Sequence, residues 1–64
     1  MQEMTYSIKE LRARMGWTQE QTASKVGVST TTYNAWEKDL SNVGVRKVKA
    51  LADLFGVTLS QIKI

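Results

Sequence analysis

Between Thr18 and Glu37 the chain reads TQEQTASKVGVSTTTYNAWE, a stretch that leaves few ways to fold. It divides into two short helical segments joined by a tight turn. Gly27 falls at the turn, where a positive φ is cheap only for glycine. Val26 and Val28 flank it and can point into a core. Ala23 is small, where the second of these helices must cross the first closely. Tyr33 and Trp36 are three residues apart, so they share one face of the second segment and define its inward side. The opposite side is polar and uncharged until Lys38. A plain helical hairpin in a small bundle would account for the pattern. So would a helix presented to the major groove of DNA.

The rest of the chain reads as helix as well. Ser7 and Glu10 form an S-x-x-E capping box, with Ile8, Leu11 and Met15 following at helical spacing and Gly16 as a left-handed end. Thr18 and Gln21 repeat the box for a second helix, and Ser29 is placed to cap a third. Residues 39–44 read as a polar loop. A fourth helix is expected from about Val45 to Phe55, with Val45, Val48, Leu51, Ala52 and Phe55 in one apolar stripe and Gly56 at its end. Thr58 and Gln61 make a third box, opening a last turn or two with Leu59 and Ile62 facing inward. The expectation is an all-α, compact domain of five helices with no strands: a short arm over residues 1–6 and one folded domain over residues 7–64.

TQEQTASKVGVSTTTYNAWEK, preceded by ELRARMGW and followed by LADLFGV, resembles the phage repressor and Cro-type (XRE) helix-turn-helix DNA-binding domains over residues 7–62. Its specific pieces are Arg12 ahead of MGWTQ, the TQ that opens the second helix, Ala23, Gly27-Val28-Ser29, and the pair Trp36-Glu37. The resemblance implies a repressor-like fold with the helix-turn-helix at helices 2 and 3. It also implies that Gln19 touches a DNA phosphate and braces the first residue of the third helix, and that Arg12 and Glu37 form an ion pair between helices. Two positions depart from the family. Thr22 stands where an aliphatic is usual, with a hydroxyl able to bond back to a helical carbonyl and Trp17 placed to cover the gap. Val43-Gly44 stands where proline and serine are frequent, which bears on the start of the fourth helix.

At 100° per residue, Thr30, Thr31, Asn34, Ala35 and Lys38 lie opposite the inward face of the third helix. Short side chains there let a backbone approach base edges closely. Thr31 and Thr30 can donate or accept, Asn34 can pair with adenine, and Ala35 can meet a thymine methyl. Three consecutive threonines are poor helix formers, so stability alone does not recommend them. Lys38, Asn42, Arg46 and Lys47 gather around the following loop and next helix start, where cations and free N–H groups suit phosphate. Lys9, Lys25, Lys49 and Lys63 read as solvated charges.

Composition narrows the classes. Sixty-four residues make one domain, which buries only about 60% of its unfolded surface. The net charge of +3 permits an anionic partner without demanding one. With no histidine and no cysteine, the chain lacks the commonest general base, thiolate metal ligands and disulfides. Its six acidic residues are scattered, and no glycine-rich phosphate loop is present, so an enzyme is not expected and no cofactor or small-molecule ligand is implied. No leader or membrane-length apolar run is seen, and a cytoplasmic location follows as the default.

The leading expectation is a sequence-specific double-stranded DNA-binding regulator, of phage or prophage repressor type, inserting its third helix into the major groove of a palindromic operator. The competing class is a protein-interaction or antitoxin module of the same fold. Acidic or bulky apolar residues on the outer face of the third helix would favour that class, and threonine, asparagine, alanine and lysine do not. With nothing beyond Ile64 to serve as a dimerisation arm, Leu59, Ile62 and Ile64 are the exposed apolar candidates. They support a weak homodimer, formed mainly on DNA.

Overall fold

The computed structural model describes residues 4–64, so most of the expected arm, residues 1–3, lies outside the described residues. Four α-helices follow in order: α1 Ile8–Met15, α2 Gln19–Val26, α3 Thr30–Lys38 and α4 Val45–Phe55, with a 3-10 turn at Leu59–Gln61. Each start has a local cause. In α1, Ser7 Oγ accepts from the Glu10 N–H at 3.1 Å and the Glu10 carboxylate accepts from the Ser7 N–H at 3.2 Å. Thr18 and Gln21 do the same for α2 at 3.0 and 2.9 Å. For α3, Ser29 Oγ accepts from the Thr32 N–H at 3.1 Å and donates to Thr32 Oγ1 at 2.9 Å. Thr32 therefore serves the cap, which accounts for one of the three threonines. Between α2 and α3, Gly27 adopts φ +89°, left-handed backbone that a β-carbon would strain. Its N–H and that of Val28 satisfy carbonyls at the end of α2.

The expected fifth helix is a single 3-10 turn. The Thr58–Gln61 box opens it. The chain then turns extended at Ile62, which forms an isolated parallel bridge with Tyr6. Tyr6 donates to the Gln61 carbonyl and accepts from the Lys63 N–H, both at 2.8 Å. Those bonds draw residues 62–63 out of helical geometry. Among the described residues there is this one bridge and no strand.

α4 supplies the centre of the core through Val48, Leu51, Ala52 and Phe55. Ile8 and Leu11 of α1, Ala23 of α2, Tyr33 of α3, and Leu40 and Ile62 outside the α-helices complete it. α2 packs chiefly against α3, and α4 against α1, α2 and the 3-10 turn. Five apolar expectations are corrected. Met15 and Val45 lie at the edges of their stripes and are exposed. Leu59 points outward because its 3-10 turn buries Ile62 instead. Leu40, in the loop expected to be polar, is core, and Val43 packs beside it. Trp36 is only half-buried, while Tyr33 is fully enclosed, so the inward face of α3 centres on Tyr33.

Thr22 is fully buried without being orphaned: its hydroxyl donates to the Thr18 carbonyl at 2.9 Å. Trp17 packs against the core, stacked on Phe55 at a centroid distance of 6.1 Å. The departure at Val43-Gly44 leaves the start of α4 in place, with Gly44 as an N-cap that lends no side-chain bond.

Candidate nucleic-acid interface

α3 is anchored from below and bare on top. Tyr33 fixes its inner face, with Trp36 edge-on at 6.4 Å. Thr30, Thr31, Ala35 and Lys38 are exposed. The hydroxyls of Thr30 and Thr31 have no hydrogen-bond partner among the described residues, so both remain free to donate or accept.

Asn34 is different. It is half-buried, and its Nδ2 donates to Gln19 Oε1 at 3.1 Å. Gln19 in turn donates through Nε2 to Glu37 Oε1 at 2.9 Å. The brace from Gln19 thus reaches the fifth residue of α3 rather than Thr30, its first. Geometry explains the change: Asn34 and Glu37 are three apart on the side of α3 that meets the start of α2.

The network continues inward. Arg12 Nε donates to Glu37 Oε2 at 2.6 Å, Nη2 reaches Oε1 at 3.4 Å, and Nη1 bonds the Trp17 carbonyl at 3.0 Å. The two side chains keep 17% and 5% of their exposure, so this ion pair is largely withdrawn from water. It ties α1, the α1–α2 connection and α3 into one frame. Burial alone would raise the Glu37 pKa. The bonds from Arg12 and Gln19 outweigh it, and the carboxyl titrates below the ordinary range. The Tyr33 hydroxyl is buried beside the pair without a hydrogen bond of regular geometry. Burial first, and then the hydroxyl's close contact with the Glu37 carboxylate and its charge, push its pKa upward.

A depressed folded-state pKa means that Glu37 contributes its full stability above the unfolded value and loses it as the pH falls through the folded one. Unfolding free energy should therefore decline as the pH drops below about 4.5. Glu37→Gln, with no charge to protonate, should show a shallower decline. Urea titrations from about pH 6 to about pH 2 test this. Identical slopes for both proteins would contradict it.

The remaining basic and polar candidates, Asn42, Arg46 and Lys47, are all exposed. Arg46 and Lys47 occupy the first turn of α4, where cations oppose the helix dipole, and neither is ion-paired among the described residues. Folding does not explain them there. By contrast, Lys49 pairs with Asp53 at 2.6 Å, Lys25 lies 4.8 Å over the Trp17 ring, and Arg14 lies 4.3 Å over Tyr6. Elsewhere, Val45, Leu59 and Ile64 are exposed and line a shallow apolar groove with Leu40, Val43 and Val48. Ile62 is buried within it, and Val45 takes its place among the accessible apolar groups. Among the described residues no acidic cluster could hold a metal ion, and no helix is long and apolar enough to cross a membrane.

A bare helix held on a buried polar frame, after a glycine turn, is the geometry of a helix-turn-helix. The family model described as helix-turn-helix matches residues 8–62. The chain belongs to this family of DNA-binding domains. It is also similar to the cryptic phage CTXphi transcriptional repressor RstR of Vibrio cholerae, with 33% identity over 55 residues. The match covers 86% of this chain and 50% of the relative, so the chain spans about half the length of the repressor it matches. No solved structure matches the chain.

Proposed function

We propose that this chain is the operator-reading domain of a phage-type transcriptional repressor, working in the cytoplasm, and that α3 enters the major groove of double-stranded DNA. The observation that carries this is the outer face of α3: exposed, uncharged up to Lys38, and built of short side chains whose hydroxyls are uncommitted. Thr31 leads direct base readout, with Thr30 beside it and Ala35 against a thymine methyl. Asn34 also faces bases, with one amide hydrogen already engaged.

Phosphate contacts frame the groove. Lys38 leaves the end of α3, and Asn42 follows in the loop. Arg46 and Lys47 stand at the start of α4, whose first N–H groups have no side-chain cap and favour an anion. Gln19, at the first position of α2, keeps one amide hydrogen for phosphate beyond its bond to Glu37.

One recognition helix reads only a few base pairs. Two copies are therefore placed on half-sites about one helical turn, ~34 Å, apart. The exposed Val45, Leu59 and Ile64 supply a small apolar patch for their contact, short of the roughly 1,200 Å² of a stable interface. The dimer then forms mainly on DNA. Selection of bound duplexes from a random library should return a palindrome of that spacing, bound cooperatively, with one isolated half-site bound far more weakly. Recovery of no common sequence, with binding to some other protein instead, would favour the interaction-module alternative.

A further inference from the structure

The polar frame has a direction. Arg12 can only donate and an ionised Glu37 can only accept, so the Gln19 amide must turn its Nε2 toward Glu37, as the 2.9 Å bond shows. That leaves Gln19 Oε1 facing Asn34, and only a donor can meet it, which sets Asn34 Nδ2 there at 3.1 Å. The Asn34 Oδ1 accepts no hydrogen bond among the described residues. The largely buried Glu37 carboxylate thus determines, through two amides, which end of Asn34 is committed to the protein.

We propose that Glu37 and Gln19 preset the base preference of Asn34. The fixed amide offers Oδ1 as an acceptor with one N–H beside it. That matches the exocyclic amine of adenine with its neighbouring N7, and it mismatches a keto oxygen in the same place. Gln19 is a positioning residue for readout, in addition to any phosphate contact it makes. Its two bonds hold the amide of Asn34 against the turnover that would exchange acceptor for donor.

The inference rests on α3 as a base-reading helix, and the test separates the two. Wild-type protein, Gln19→Met, Asn34→Ala and the double variant are each measured against a set of duplexes differing at single base pairs, and against random duplex, at one salt concentration. Methionine preserves the bulk of glutamine and removes both bonds. Wild type should discriminate against keto bases at one position by roughly tenfold. Gln19→Met should lose most of that discrimination at that position while keeping its preferences elsewhere. The double variant should discriminate there no worse than Asn34→Ala. A uniform loss across all duplexes, random included, or a loss additive to that of Asn34→Ala, would overturn the proposal and leave Gln19 a phosphate contact only.

A second readout needs no DNA. In the free wild-type protein the two Asn34 side-chain amide protons should be well separated in NMR spectra, one of them slowed in exchange with water, and Gln19→Met should remove both features. An Asn34 amide that exchanges freely in wild type would overturn the clamp. A wild-type profile flat at every base pair overturns the reading of α3 and this proposal with it. A discriminating profile that Gln19→Met leaves unchanged overturns this proposal alone.

Discussion

Tyr33→Ala is expected to cost about 3–5 kcal/mol, close to the whole stability of a domain this small. Tyr33 is fully buried and among the largest enclosed side chains, packed between the recognition helix and the rest of the core. Its ring carries the effect and its hydroxyl does not. The hydroxyl closes no regular hydrogen bond, and a buried unsatisfied donor is itself unfavourable by about 1–3 kcal/mol. Tyr33→Phe should therefore match or exceed wild type in a thermal melt. Trp36→Ala should cost less than Tyr33→Ala, because Trp36 is only partly buried while Tyr33 is fully enclosed. A melt in which Trp36→Ala falls further than Tyr33→Ala would show that the helix is anchored elsewhere.

Arg12→Ala should rank next. Removing one partner of a buried ion pair costs up to about 3–5 kcal/mol, because the other charge is stranded. Here the stranded group is Glu37, whose side chain keeps 5% of its exposure, while the 17% left to Arg12 moderates the loss. The Trp17 carbonyl loses its donor at the same time. In a Glu37→Gln background no carboxylate is left behind, so Arg12→Ala should then cost much less. Urea midpoints for the four proteins of this cycle give the answer. Equal losses in both backgrounds would mean that Arg12 acts through its packing alone.

Helix ends were the most legible part of the sequence. Capping boxes and turn glycines are local chemistry, and Ser7, Thr18, Ser29 and Gly27 act where their neighbours in sequence predict. Burial was less legible, because it depends on what the rest of the chain brings alongside. Leu40 sits among Asp39, Ser41 and Asn42, and nothing local distinguishes it from a loop residue. Its burial follows from the fold closing over it. Leu59 and Ile62 fit an inward helical face equally well, until pairing of Ile62 with Tyr6 pulls the chain extended and leaves Leu59 outside. In the candidate interface, the exposed threonines follow from helical phase once Tyr33 is placed. The engagement of Asn34 by Gln19 does not, since it depends on how closely α2 and α3 cross. The resemblance to repressor domains pointed to a brace from Gln19 to the first residue of α3, Thr30, whereas the bond is made to Asn34.

The central claim is that α3 reads base edges through its free outer face. Thr31 lies at the middle of that face, exposed and without a partner among the described residues, so removing its hydroxyl disturbs no bond within the protein. The decisive measurement is the affinity of Thr31→Ala, beside wild type, for the selected operator and for random duplex at one stated salt concentration. A loss of about 1–3 kcal/mol on the operator with little change on random DNA is the predicted result. Equal losses on both, or no loss on either, would contradict it.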